Sequence, residues 1–306
     1  MRFVISGASG LIGRALAAHL TARGHEVTRL VRRDPAGAAG AVRWDPERGR
    51  IDAAGLEGHD VVIHLAGEPI LGVWTKRKKE WILASRVEGT RLLSETLARL
   101  ERPPQVLIVA SAVGYYGPRP AGVVDEGSGP GEGFLAEVVR RWEEASRVAE
   151  EGGIRVVRLR FGVVLSREGG VLGAMLPWFR VGLGARIGSG QGVMSWVARS
   201  ELGYVVEHVV ARRELAGPVN VVVPEPASMA EFAATLARVV GRRAWLVVPE
   251  WVVRLVGGEM AREAVLSSQA VHPSRLLESG YSFRYPELEI ALRHELQRGE
   301  LPRRRF

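Results

Sequence analysis

Glycines at positions 7, 10 and 13, in the run SGASGLIG at 6–13, are spaced to hold an anion against backbone N–H groups. The run follows a short apolar stretch at 2–5 and leads into a helical pattern at 11–20. It therefore lies at a strand-to-helix turn, the context that gives a three-glycine pattern meaning. Gly7 permits the tight turn, Gly10 lets the backbone approach phosphate oxygens, and Gly13 lets the helix lie close to the strand. The helix N-terminus then faces the negative charge. Ser9, Leu11 and Ile12 complete the predicted pyrophosphate cradle of a dinucleotide.

The second strand pattern, at 27–31, ends in Val31, Arg32 and Arg33, where an NAD site would carry an acidic residue for the ribose hydroxyls. A guanidinium instead suits a 2′-phosphate, by bidentate geometry and permanent charge. The expected cofactor is NADP(H), held by Arg32 and Arg33, with Asp34 near enough to serve a ribose hydroxyl in the opposite case. Leu65, Ala66 and Gly67 close a buried strand pattern at 61–65, and their small side chains would let the cofactor pass close to the backbone. Glu68 at this edge would repel phosphates and is expected on a ribose hydroxyl.

The elements that must position these groups alternate. Strand patterns at 27–31, 61–65, 105–110 and 155–161 are interleaved with helical patterns at 11–20, 77–100 and 134–149. Repeated strand–helix units predict an α/β fold, a Rossmann-type doubly wound parallel sheet. Beyond Gly162 glycines cut the chain into shorter pieces, and helical patterns recur near 201–213, 229–241 and 249–300, with a strand pattern at 218–223. The expected division is a dinucleotide-binding domain at 1–165 and a smaller, mainly helical substrate region at 166–306. Parts of 195–225 return to the first domain, and 249–300 forms a helical unit.

Composition narrows the chemistry. The chain of 306 residues has no cysteine, so thiol nucleophiles and cysteine–zinc sites are excluded. None of the seven histidines shows metal-ligand spacing. The net charge is +8, but the basic residues are scattered and no aromatic platform accompanies them, so no nucleic-acid partner is expected. No stretch approaches the roughly 20 apolar residues of a membrane helix. The sequence enters a strand at once, without a signal-peptide pattern. A cytoplasmic protein with a small-molecule substrate and no membrane partner is expected.

Taken together, GASGLIG at 7–13, the Leu65–Ala66–Gly67 strand end, RVEGT at 86–90 and SAVGYYG at 111–117 resemble the extended short-chain dehydrogenase/reductases of the NAD-dependent epimerase/dehydratase type. PEW at 249–251, GEM at 258–260, PSRLL at 273–277 and FRYP at 283–286 resemble the C-terminal domain of unknown function of one subgroup, epimerase-family proteins of unassigned substrate. The resemblance implies a further cofactor contact from Trp44 and another from Val163, and homodimerisation through 77–100 and 134–149.

The catalytic pattern departs from the family. Its enzymes carry Tyr-x-x-x-Lys on the helix after the serine strand, where tyrosine moves a proton and lysine lowers its pKa. Anchoring on Glu143 puts Leu135 and Val139 in those places, and neither can move a proton. The serine position falls on Ala112, with Ser111 one residue early, and Arg86 replaces the usual asparagine. The expected substitute site uses Tyr116 as proton donor, Ser111 to polarise the substrate oxygen and Arg86 to orient it. Tyr115, Gln191, Ser195 and Trp196 are expected to bind substrate, and Trp142 to pack. The leading expectation is an NADP(H)-dependent oxidoreductase. A cofactor-binding sensor without chemistry, and a nucleotide-sugar epimerase, are the alternatives.

Overall fold

The computed structural model describes residues 1–32 and 40–297. Eight strands form one sheet: β1 (Arg2–Ser6), β2 (Glu26–Val31), β3 (Ala41–Asp45), β4 (Arg50–Ile51), β5 (Val61–His64), β6 (Val106–Ala112), β7 (Arg155–Phe161) and β8 (Gly217–Val221). Their order is β8-β7-β6-β5-β1-β2-β3-β4. Every pairing is parallel except β3 with β4. The chain winds one way from β1 through β3 and the other way from β5 through β8. The crevice at the carboxyl ends of β1 and β5 is thus the topological switch point, where ligands of such sheets bind.

Burial follows from the sequence pattern. β5 is wholly buried and, like β1 and β6, mostly apolar, as strands covered by helices on both faces must be. The covering helices are α1 (Leu11–Ala22), α2 (Lys76–Ala98), α3 (Phe134–Glu144) and, beyond α4 (Gly170–Arg180), α5 (Leu202–Ala211). A second apolar cluster, including Leu172, Phe179, Trp196 and Phe232, joins α4 to α6 (Met229–Val239) and, through Leu292, to α8 (Leu288–Gln297). Between these last two lies α7 (Glu250–Met260), which has no buried residue and is broken at Gly258, where φ is 55°.

Three features depart from the expectation. β3 had no recognised strand signal. The helix expected over 134–149 stops at Glu144, because Arg158 of β7 and the Ser146 hydroxyl both donate to the Glu143 carbonyl, at 3.2 and 2.6 Å. A short helix resumes at Arg147–Glu151. The helical C-terminal region also contains a strand, Gln269–Val271, paired in parallel with Arg119–Val124.

Candidate functional site

Two glycines of the first loop, Gly7 and Gly13, are required by geometry. Gly7 has φ of 67°, and a Cβ there would lie 2.9 Å from Ala66 N and from the Leu65 carbonyl carbon. A Cβ on Gly13 would meet the Gly7 oxygen at 2.2 Å. Gly10 is the N-cap of α1 and offers no side chain to its first turn, which also lacks acidic residues. The N–H groups of that turn, with Leu11 and Ile12 among them, are thus left to an outside acceptor. Ser9 lies beside them, and its carbonyl accepts from Arg14 at 2.9 Å. The donor set fits a diphosphate.

The β1 and β5 ends are bound together beneath this cradle. Ser6 Oγ accepts from the N–H groups of Leu65 and Ala66, at 3.1 and 3.3 Å, and lies 2.7 Å from His64 Nδ1. Burial lowers the His64 pKa to about 4, so the imidazole is neutral. Trp44 meets the His64 ring edge-on at 5.7 Å and is only 3% exposed. Its predicted contact with a cofactor is corrected: Trp44 is core, because β3 turns it under the sheet's edge. Arg32, by contrast, is exposed at the end of β2. Arg33 lies outside the described residues. Val163 opens a short strand beyond β7 and donates its N–H to the Ser195 carbonyl at 2.8 Å.

Behind the site runs a buried polar chain. Ser111 donates to Glu143 Oε1 at 2.6 Å. Arg160, its neighbour across the β6–β7 register, donates to both Glu143 oxygens at 2.8 Å. Arg160 Nη1 also donates to the Tyr116 hydroxyl at 2.9 Å, which donates onward to Asn220 Oδ1 at 2.8 Å. Burial outweighs the Arg160 contact and pushes the Tyr116 pKa up to about 12. Burial lowers the Arg160 pKa, but the Glu143 carboxylate more than offsets it and the net shift is upward. Two expected roles are corrected here. Tyr116 is fully buried with its hydroxyl engaged twice, and Ser111 is 3% exposed with its proton on Glu143. Neither presents a free group to a substrate. Arginines inside the otherwise apolar strand RVVRLRF were the sequence signal for this network.

Tyr115 has the opposite fate. It is half-buried, its hydroxyl has no hydrogen-bond partner among the described residues, and its ring lies 3.5 Å from the Arg160 guanidinium carbon. In the tight turn Val113–Tyr116 the two rings meet edge-on at 5.4 Å, with Tyr116 fully buried and Tyr115 partly buried against the same cluster. Nearby, a Cβ on Gly114 would touch Leu135 at 3.7 Å and Val139 at 4.0 Å. The helix α3 therefore turns these two apolar side chains to the end of β6. Arg86 of α2 donates to the Glu68 carbonyl at 2.9 Å and to the Ile82 carbonyl at 3.2 Å, both through Nη1. Its guanidinium lies 5.1 Å from the Trp142 ring and beside Gly67. Burial lowers the Arg86 pKa to about 10, so it remains a cation at neutral pH. Glu68 pairs with Lys78 at 2.6 Å.

The far wall comes from the C-terminal region. Glu263 caps α3, accepting from Phe134 N at 3.1 Å and Leu135 N at 2.8 Å. Lys79 reaches Glu259 at 2.8 Å. Gln191 is exposed, as a ligand contact requires. Ser195 and Trp196 are not: Ser195 donates to the Gln269 carbonyl and accepts from Val271 N, both at 2.9 Å, and Trp196 is 1% exposed in the second core. Their predicted substrate contacts are corrected to structural roles: strand 269–271 covers Ser195, and the second core encloses Trp196. Among the described residues no cluster could hold a metal ion.

The sequence profile of the NAD-dependent epimerase/dehydratase family matches residues 3–212, and that of a domain of unknown function, DUF1731, matches 248–295. An epimerase family protein of Mycobacterium tuberculosis is 42% identical over 289 residues, covering 94% of this chain and 95% of its own length. The crystal structure of human epimerase family protein SDR39U1 with NADPH is 38% identical, superposes with a TM-score of 0.88, and covers 96% of this chain and 98% of its own. UDP-glucose 4-epimerase of Thermus thermophilus, solved with NAD, shares the fold at 21% identity and a TM-score of 0.72, covering 98% and 100% of the two chains. The chain belongs to the NAD-dependent epimerase/dehydratase family.

Proposed function

We propose that this protein is a cytoplasmic NADP(H)-dependent oxidoreductase acting on a small carbonyl or hydroxyl metabolite, with Tyr115 in place of the family's Tyr-x-x-x-Lys pair. The observation that carries the cofactor reading is the uncapped, glycine-built cradle with exposed Arg32 at the end of β2. The NADPH bound to the human relative supports it. Bound there, the nicotinamide supplies or takes the hydride. The chain's own residues do the rest. The first turn of α1 holds the diphosphate, and Arg32 holds the 2′-phosphate. Arg86 keeps a positive charge beside Gly67, where the lysine of α3 is missing. Leu135 and Val139 exclude water from the end of β6. The free Tyr115 hydroxyl gives or takes the proton at the substrate oxygen.

One observation favours a second reading, a cofactor-binding sensor. Ser111, Tyr116, Glu143 and Arg160 satisfy one another inside the protein, as a retired active site would. Calorimetry and turnover separate the readings. Tighter binding of NADPH than NADH is expected, and equal affinities refute the NADP(H) assignment. A panel of carbonyl metabolites, followed by nicotinamide absorbance, should reveal turnover. Tight NADPH binding without turnover across the panel supports the sensor.

A further inference from the structure

One corner of the molecule is apolar and solvent-facing. Three tryptophans stand there, Trp178, Trp245 and Trp251, with Leu255 and Val256, at exposures from 61% for Trp178 to 80% for Val256. The segments that carry them are joined. Strand Ala185–Ile187, just after α4, pairs in parallel with Leu246–Val248. Arg242 Nε donates to the Arg180 carbonyl at 3.0 Å, and Gly188 N to the Val248 carbonyl at 2.9 Å, at the entry to α7. The helix α7 is rich in apolar residues, yet buries none of them. A patch of this kind on a single chain marks a contact surface.

Its charge identifies the partner. Segments 178–186, 242–248 and 250–256 carry five arginines, Arg180, Arg186, Arg242, Arg243 and Arg254, against one carboxylate, Glu250. Glu250 is paired with Arg254 at 3.3 Å, and Arg180 and Arg243 have no ion pair among the described residues. The other acid of α7, Glu259, is turned away to Lys79. These segments thus combine exposed apolar side chains with an excess of positive charge. Indoles favour the boundary between water and acyl chains, and arginines favour anionic headgroups. The three tryptophans are also separate and each mostly exposed, from 61% to 71%. A rigid protein partner would need a matching pocket for each, whereas a lipid boundary admits all of them.

We propose that this corner docks on an anionic lipid surface, with Trp245, Trp251 and Leu255 entering the interface and the arginines on headgroups. No described helix is long and apolar enough to cross a membrane, and peripheral contact requires none.

The test is co-sedimentation of the full chain with vesicles of phosphatidylcholine containing about one-third phosphatidylglycerol, beside pure phosphatidylcholine. Binding to the anionic vesicles is expected, falling about tenfold or more as ionic strength rises from roughly 0.05 to 0.5 M. The double variant Trp251→Ser/Leu255→Ser should lose about tenfold or more. Arg242→Gln/Arg243→Gln should weaken binding to the anionic vesicles. Trp81→Ser, an exposed tryptophan on α2 outside the patch, should bind as the parent does. Unchanged urea midpoints show that the variants fold. Absence of binding at low salt overturns the proposal, as does equal, salt-independent binding to neutral vesicles. A loss with Trp81→Ser as large as with the double variant also overturns it. So does a parent dimer, seen by light scattering, that the double variant turns into monomer, since a second copy then covers the patch.

Discussion

The two adjacent tyrosines should separate stability from turnover when each loses only its hydroxyl. Tyr116→Phe leaves the Arg160 Nη1 donor and the Asn220 Oδ1 acceptor without a partner inside the protein. Each unsatisfied buried group costs about 1–3 kcal/mol, so the variant should lose about 2–6 kcal/mol of stability. Its turnover per folded molecule should stay close to that of the parent. Tyr115→Phe removes a hydroxyl with no partner among the described residues and keeps a ring face over Arg160. Its stability should change by less than about 0.5 kcal/mol. Its turnover should fall about 10²–10⁴-fold, the usual worth of a positioned general acid. The assay pairs urea midpoints with turnover on whichever carbonyl the panel finds, and with NADPH affinity, which neither variant should alter. Stable Tyr116→Phe with turnover cut by that order, or Tyr115→Phe with turnover intact, would refute the assignment of the proton to Tyr115.

Other consequences are open to simple measurements. Arg32→Ala should weaken NADPH by about 1.5–3 kcal/mol and leave NADH nearly unchanged in calorimetry, because only NADPH carries the 2′-phosphate. Glu143→Leu should cost about 3–5 kcal/mol by urea unfolding, since it strands Arg160, whose side chain is 3% exposed; Glu143→Leu/Arg160→Met should recover part of that loss. Acid should destabilise the fold through His64. The folded imidazole stays neutral to a pKa of about 4, whereas the unfolded one takes its proton near 6.5, so stability is full above 6.5 and falls as pH drops toward 4. The loss is about 3 kcal/mol for this group, and His59, also depressed by burial, acts in the same direction. Urea midpoints across that range should fall less steeply in His64→Gln.

Much of the frame was legible because it is written locally. The strand at 155–161 has the limits read from its pattern, and the helix after the glycine loop begins at the expected Leu11. The glycine spacing works the same way: a Cβ at 7 or 13 collides with backbone a few residues or one strand away. Leu135 and Val139 were placed by the family resemblance, anchored on Glu143, and the structure turns both to Gly114 at the end of β6. Such features need only a short window of chain and the alternation of strands and helices.

What the sequence alone determined is therefore the doubly wound sheet, its glycine cradle and the absence of Tyr-x-x-x-Lys. Only the tertiary structure decided which hydroxyls are free. Tyr115 and Tyr116 are indistinguishable as neighbours in sequence, and a fraction of a turn separates the solvent-side ring from the one locked to Asn220, 104 positions along the chain. Ser195 reads as a pocket residue until strand 269–271, more than seventy positions later, closes over it, and Trp196 until α4 and α6 enclose it. Ser111, Glu143 and Arg160 come from three separate elements, and their charges balance only where β6, β7 and α3 meet. The same long-range packing makes Trp44 a core residue and lets Glu263 cap α3. Periodicity and spacing specify an element and its faces. Which face meets which neighbour is settled by the burial of charge and apolar surface in the assembled fold.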